Sequence, residues 1–237
     1  ILASISLRYP TYAQVLITFF AIPFAVSLRE PKIYKQKLKN SWKSIIKVIE
    51  FSLVKSKTLR NYIIYSSAIG MGTLMMAWLA QPFLKEIGIE IKNYGVIWAI
   101  LNIIVGIVAF QSHKIEQKLN QITSLYIVGL ICILGYFIIA LNISYFGLFI
   151  LFVFYANRGY ATPLLRNYIN QNTESNVRAT VMSIRSFIIR TSFAITAPFI
   201  GWVADHHGLN NAFLVMGIII SIISLLCLIW FTRNKSQ

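Results

Sequence analysis

Apolar residues run in long blocks separated by short polar connections, at 11–28, 61–81, 94–111, 122–141, 145–165, 180–204 and 209–231. Crossing a hydrocarbon core of about 30 Å at about 1.5 Å rise takes roughly 20 residues. Each block therefore predicts a membrane-spanning helix, and residues 1–8 read as the end of an earlier one. Connections this short predict antiparallel neighbours.

One connection, 29–60, is different. Leu38, Trp42, Ile45, Ile49 and Leu53 recur at three- to four-residue spacing with Lys37, Lys39, Lys43, Lys47 and Lys55 between them. That pattern predicts an amphipathic helix lying on the membrane surface. Its lysines would meet anionic lipid, each contributing about 1 kcal/mol near the surface. The competing reading is a solvated basic linker.

Composition agrees with this pattern. The chain is 57% hydrophobic with a mean hydropathy of +0.67 and only 12% charged residues, too apolar for a soluble domain of 237 residues. A net charge of +15 would suit nucleic acid only on a soluble basic face, so no nucleic-acid partner is expected. Ten basic residues lie between Arg29 and Arg60 instead, and most of the rest sit at the ends of apolar blocks. Across alternate connections, sixteen lysines and arginines collect on one side and three (Arg8, Lys85, Lys92) on the other. The positive-inside rule then places the basic linker and the C-terminus in the cytoplasm of a multi-pass plasma (inner) membrane protein. The chain opens Ile-Leu-Ala-Ser with no initiator Met or signal peptide, so a preceding N-terminal portion is expected. Cys132 and Cys227 lie deep in apolar blocks and read as small core residues rather than a disulfide or zinc pair.

Polar groups inside the blocks carry the candidate chemistry, because each must be satisfied or must line a cavity. Asn157 and Arg158 stand midway along the fifth block, beside Gly159 and Pro163, which allow a bend. Arg158 is too deep to snorkel easily. It either faces a cavity holding an anionic or polar solute or bonds the carbonyls of a neighbouring helix. Arg190 in the sixth block is a second buried cation, whereas Arg185 is expected to reach the interface. Tyr62, Ser66, Thr73 and Gln81 form a possible polar stripe with Gly70 and Gly72 permitting close approach, and Trp98 and Asn102 share a face four residues apart. For these two sets, contact between helices competes with substrate binding. All seven acids (Glu30, Glu50, Glu86, Glu90, Glu116, Glu174, Asp205) lie outside the apolar blocks or at their ends. A proton-coupled carrier commonly uses a buried carboxylate, which would then belong to the preceding portion. Neighbouring side chains diverge on a helix, so Asp205, His206 and His207 make no metal site, and no cofactor is expected.

Other residues carry a resemblance. Arg178-Ala-Thr-Val-Met-Ser-Ile-Arg185, followed by Ala197-Pro198-Phe-Ile-Gly201-Trp-Val-Ala-Asp205-His-His-Gly208 and Ala212-Phe213, resembles the eleventh helix and the start of the twelfth in major facilitator superfamily transporters. Arg8-Tyr-Pro10 and Leu28-Arg29-Glu30-Pro31 resemble that family's sixth helix running into its central loop. The resemblance implies an all-α, polytopic bundle. Residues 1–28 would be the end of the fifth and the whole sixth family helix, 29–60 the cytoplasmic linker, 61–231 the C-terminal six-helix bundle and 232–237 a cytoplasmic tail. It also implies gating roles for Arg178, Pro198, Gly201, Asp205 and Gly208. One departure stands out: Gln111-Ser-His113-Lys114-Ile-Glu116-Gln-Lys118 occupies the place where many members carry a Gly, Asp, Arg and Gly cluster, so the usual inner-gate charge lock is not expected.

The resulting expectation is a secondary transporter working by alternating access. Asn157, Arg158, Arg190, Trp98, Asn102 and Gln81 would contact the solute, with protons or Na+ as coupling ions and a missing N-terminal bundle as partner. A seven-helix receptor or photoreceptor is the alternative, but no Lys lies in the last block for a Schiff base, and neither Asp-Arg-Tyr nor Asn-Pro-x-x-Tyr occurs where a receptor needs it. A membrane-embedded enzyme is disfavoured: no phosphate loop, His-Glu-x-x-His or nucleophile set is found.

Overall fold

A computed structural model describes residues 8–28 and 42–233. The expected helix end before residue 8, the linker through residue 41 (Leu38 included) and the tail beyond Arg233 lie outside the described residues. Helices follow in the order α1 (Tyr9–Ser27), α2 (Trp42–Glu50), a π-helical turn (Phe51–Lys55), α3 (Lys57–Glu86), α4 (Ile91–Lys118), α5 (Gln121–Leu141), α6 (Tyr145–Gln171), α7 (Arg178–His207) and α8 (Leu209–Arg233). Among the described residues, α3 to α8 are long and apolar enough to cross a membrane, and α1 is a shorter apolar helix.

Each expected block is present, but most helices continue beyond it. α3 runs to Glu86 through Pro82, and α4 continues to Lys118. Apolarity marks only the stretch that hydrocarbon demands, whereas the helical bonds propagate on into the headgroup region. The ends themselves follow local chemistry. The side chains of Ser56, Asn120 and Ser144 accept from the backbone N–H of Leu59, Thr123 and Phe146, capping α3, α5 and α6. Gly208, at φ 85°, ends α7 in a conformation that side-chain-bearing residues rarely adopt.

The spanning helices form two layers. The front layer runs α4, α6, α3, α7, each packed on the next, and α5 with α8 forms the rear layer behind α6, α3 and α7. Antiparallel order shows in the ring contacts. Near one end Tyr62 of α3 meets Tyr168 of α6 and Phe231 of α8, and near the other Phe83 of α3 meets Phe213 of α8. The first of these is the basic end, carrying Lys57, Lys118, Arg178 and Arg233. Depth of burial separates centre from flank: 72% of the most apolar stretch of α3 is buried, against 17% for α4 and 11% for α7. The flanking helices thus leave most of their surface uncovered by the described residues. α1 packs closely against none of the other described helices and exposes its rings, Phe24 at 75% among them.

The amphipathic segment exists over Trp42–Lys55. Val48 and Leu53 pack onto the bundle, Lys43 and Lys47 are exposed, and Trp42 is 81% exposed at the helix start. The segment touches α7, and Ile45, Ile49 and Leu53 face Ile184 and Phe187 across an apolar hollow of about 580 Å³. Its polar and apolar sides are the ones the sequence spacing predicts. Cys132 and Cys227 are both buried and unpaired.

Candidate functional site

At mid-height, α6 carries three consecutive residues with three different tasks. Asn157 is buried and donates from Nδ2 to the carbonyl of Val128 on α5 at 3.0 Å, tying the front layer to the rear. Gly159 lies so close to α4 that a Cβ there would stand 2.6 Å from the Val105 carbonyl oxygen. Between them Arg158, half-buried, turns about 100° from Asn157. Its guanidinium lies 5.6 Å from the centre of the Tyr155 ring, a cation–π distance. Tyr155 in turn meets Trp98 of α4 edge-on, with ring centres 6.0 Å apart at 80°.

Arg158, Tyr155 and Trp98 therefore form one cluster between α6 and α4. The ion pairs among the described residues, Lys55 with Glu50 and Lys92 with Glu90, are both remote from it. The Trp98 indole nitrogen is buried without an acceptor among the described residues. A permanent cation resting on one aromatic ring, itself braced edge-on by a second, suits a negatively charged group.

The remaining expected contacts are distributed elsewhere. Asn102 is exposed, and its amide is taken up by the carbonyl of Trp98 on its own helix at 2.8 Å. Gln81 is exposed near the far end of α3, away from Tyr62, Ser66 and Thr73, which are buried. These three work between and within helices. Tyr62 accepts from Gln121 at 2.8 Å, Ser66 accepts from Arg185, and Thr73 donates to Gly70 at 3.0 Å. Arg190 is exposed on the uncovered surface of α7 rather than buried as the sequence suggested. Hydropathy gives depth along a helix but not the direction a side chain takes around it.

Arg185 corrects the sequence reading in the opposite sense. Instead of reaching the interface it is buried at 6% exposure, and its Nε donates to Ser66 on α3. Nothing in the sequence marks Ser66 as its acceptor, 119 residues away.

Among the expected gating residues, Arg178 has the clearest local structure. It donates to the carbonyls of Asn170 and Thr173 at 3.2 and 3.5 Å, at the C-terminal end of α6, where unpaired carbonyls favour a cation. Pro198, Gly201, Asp205 and Gly208 lie toward the opposite end of α7, with Gly201 and Gly208 exposed. Nearby, Trp202 stacks on His206 at 5.0 Å. Near the end of α4, Glu116 accepts from Asn167 of α6 at 3.4 Å.

The sequence profile of the Major Facilitator Superfamily matches residues 1–190, from the start of the chain through Arg190 of α7. No curated protein and no solved structure matches the chain.

Proposed function

Because the chain belongs to the Major Facilitator Superfamily, a family of transmembrane transporters, we propose that it takes part in secondary active transport of a small solute by alternating access. In this reading α3 to α8 are the C-terminal bundle, and α1 is the sixth family helix. Residues 29–60 form the cytoplasmic linker whose amphipathic helix rests on the anionic inner leaflet. The C-terminus is cytoplasmic, in the plasma (inner) membrane. The uncovered surfaces of α4 and α7 meet an N-terminal bundle, and a proton or Na+ gradient drives the cycle, with the coupling carboxylate on that other bundle.

The observation that carries the proposal is Arg158, a mid-membrane cation set over Tyr155 against Trp98 and paired with no carboxylate among the described residues. A purely architectural arginine is expected to spend its donors on carbonyls or acids of the bundle. One whose guanidinium rests by a ring keeps donors for a solute. Arg178, spent on the end of α6, has the architectural role and helps set the α6–α7 turn.

Arg158→Ala in the full-length protein, reconstituted in vesicles, is expected to lower flux by about tenfold or more with membrane insertion unchanged. Wild-type flux in that variant would refute the role.

A further inference from the structure

Arg158 and Arg190 stand at one level of the bundle. Arg158 lies thirteen residues before Gln171 on α6, and Arg190 twelve residues after Arg178 on α7. At about 1.5 Å per residue both are roughly 18–20 Å from the basic end. Packing fixes the level independently. Gly159 abuts Val105 of α4, thirteen residues before Lys118, and Ile189 abuts Gly70 of α3, thirteen after Lys57. All four front-layer helices meet this level, and two of them carry a guanidinium there.

Neither charge has a counter-ion among the described residues, whose ion pairs are both at helix ends, and no Asp or Glu occurs within the apolar blocks. A guanidinium does not shed its proton, so the charge persists, and at mid-membrane it is costly unless compensated. Arginine's planar fork matches a carboxylate or phosphate with two parallel bonds. Beside one of the two forks stands the Tyr155 ring, which Trp98 meets edge-on.

Building on the transport reading, we infer that the solute is an organic anion, its carboxylate or phosphate bound by Arg158 and Arg190 and its apolar body beside the half-buried Trp98. The anion supplies at mid-membrane the negative charge that these helices lack. Arg190, on the uncovered surface of α7, is the contact that opens and closes as that surface moves.

The test uses the purified full-length protein in vesicles with imposed proton and Na+ gradients. The vesicles are loaded with a water-soluble extract of the expression host, separated by charge into anionic, neutral and cationic pools. A component of the anionic pool is expected to cross. Arg158→Gln and Arg190→Gln should each slow it by about tenfold, and Arg158→Lys and Arg190→Lys should retain more flux than their Gln counterparts. Passage of a neutral or cationic component alone would overturn the inference while leaving the transport reading intact, and passage of nothing from any pool would sink both. Anion flux at the wild-type rate in either Gln variant would overturn the two-arginine site, as would a Lys variant no better than Gln at equal yield of monodisperse protein.

Discussion

The Nε of Arg185 on α7 donates to the Ser66 hydroxyl on α3, and this bond joins the central helix of the front layer to its most exposed flank. Ser66→Ala removes the acceptor and leaves a charged donor buried, at a cost of about 1.5–3 kcal/mol. Thermal unfolding in detergent should show a clear drop for this variant. The double variant Ser66→Ala, Arg185→Met should recover part of the loss, because removing both partners leaves no unpaired charge. A double variant less stable than Ser66→Ala alone would contradict this account.

Two glycines predict opposite tolerances. A Cβ at Gly159 would meet backbone atoms of Val105, which cannot give way without parting α4 from α6. At Gly70 the nearest atom is the terminal methyl of Ile189, which can rotate aside. Gly159→Ala is expected to lower stability by about 1–3 kcal/mol, and Gly70→Ala by less than about 1 kcal/mol. Gly106→Ala, with nothing within 4 Å, is the control. Equal melting shifts for the first two would refute the close α4–α6 contact.

Neighbours in sequence should separate in function. Asn157→Ala loses one interhelical hydrogen bond, about 0.6 kcal/mol on average in membranes, and should reduce stability more than flux per folded molecule. Arg158→Ala should do the reverse. Flux assays normalised to monodisperse protein distinguish the two, and a flux loss in Asn157→Ala equal to that in Arg158→Ala would assign both residues to the solute.

The proposed topology is accessible to labelling, because Cys132 and Cys227 are buried and add little background. Single cysteines in place of Lys43 and Lys114, both exposed, should react with an impermeant maleimide only from the cytoplasmic side. A cysteine in place of Lys92 should react only from outside. Labelling of Lys43→Cys in intact cells would invert the topology.

Helix number, order and approximate limits were legible because hydrocarbon imposes a length on every span, and a run of about 20 apolar residues suits little besides a membrane crossing. The amphipathic segment was legible for the complementary reason: its apolar and basic residues alternate at helical spacing, so its two sides differ in composition. Inside the bilayer that contrast fades, since lipid and protein interior are equally apolar. The burial of Arg185, the exposure of Arg190 and Gln81, and the approach of Gly159 to Val105 were therefore not readable from spacing. Arg158 was recognisable because a cation midway along a span is costly wherever it points. Its companions were only partly so: Trp98 was identified, whereas Tyr155, one helical turn from Arg158, looked like any other aromatic in an apolar block.

Two tyrosines cross between layers in opposite directions. Tyr65 of α3 donates to the carbonyl of Leu125 on α5, and Tyr136 of α5 donates back to the carbonyl of Gly72 on α3, each at 2.6 Å. Two such struts, set at different heights, resist both sliding and twisting of one helix past the other. Whatever displacement the central helix undergoes is thereby handed to α5, so the hinge for any large movement belongs in the connections rather than in the slab that these hydroxyls brace.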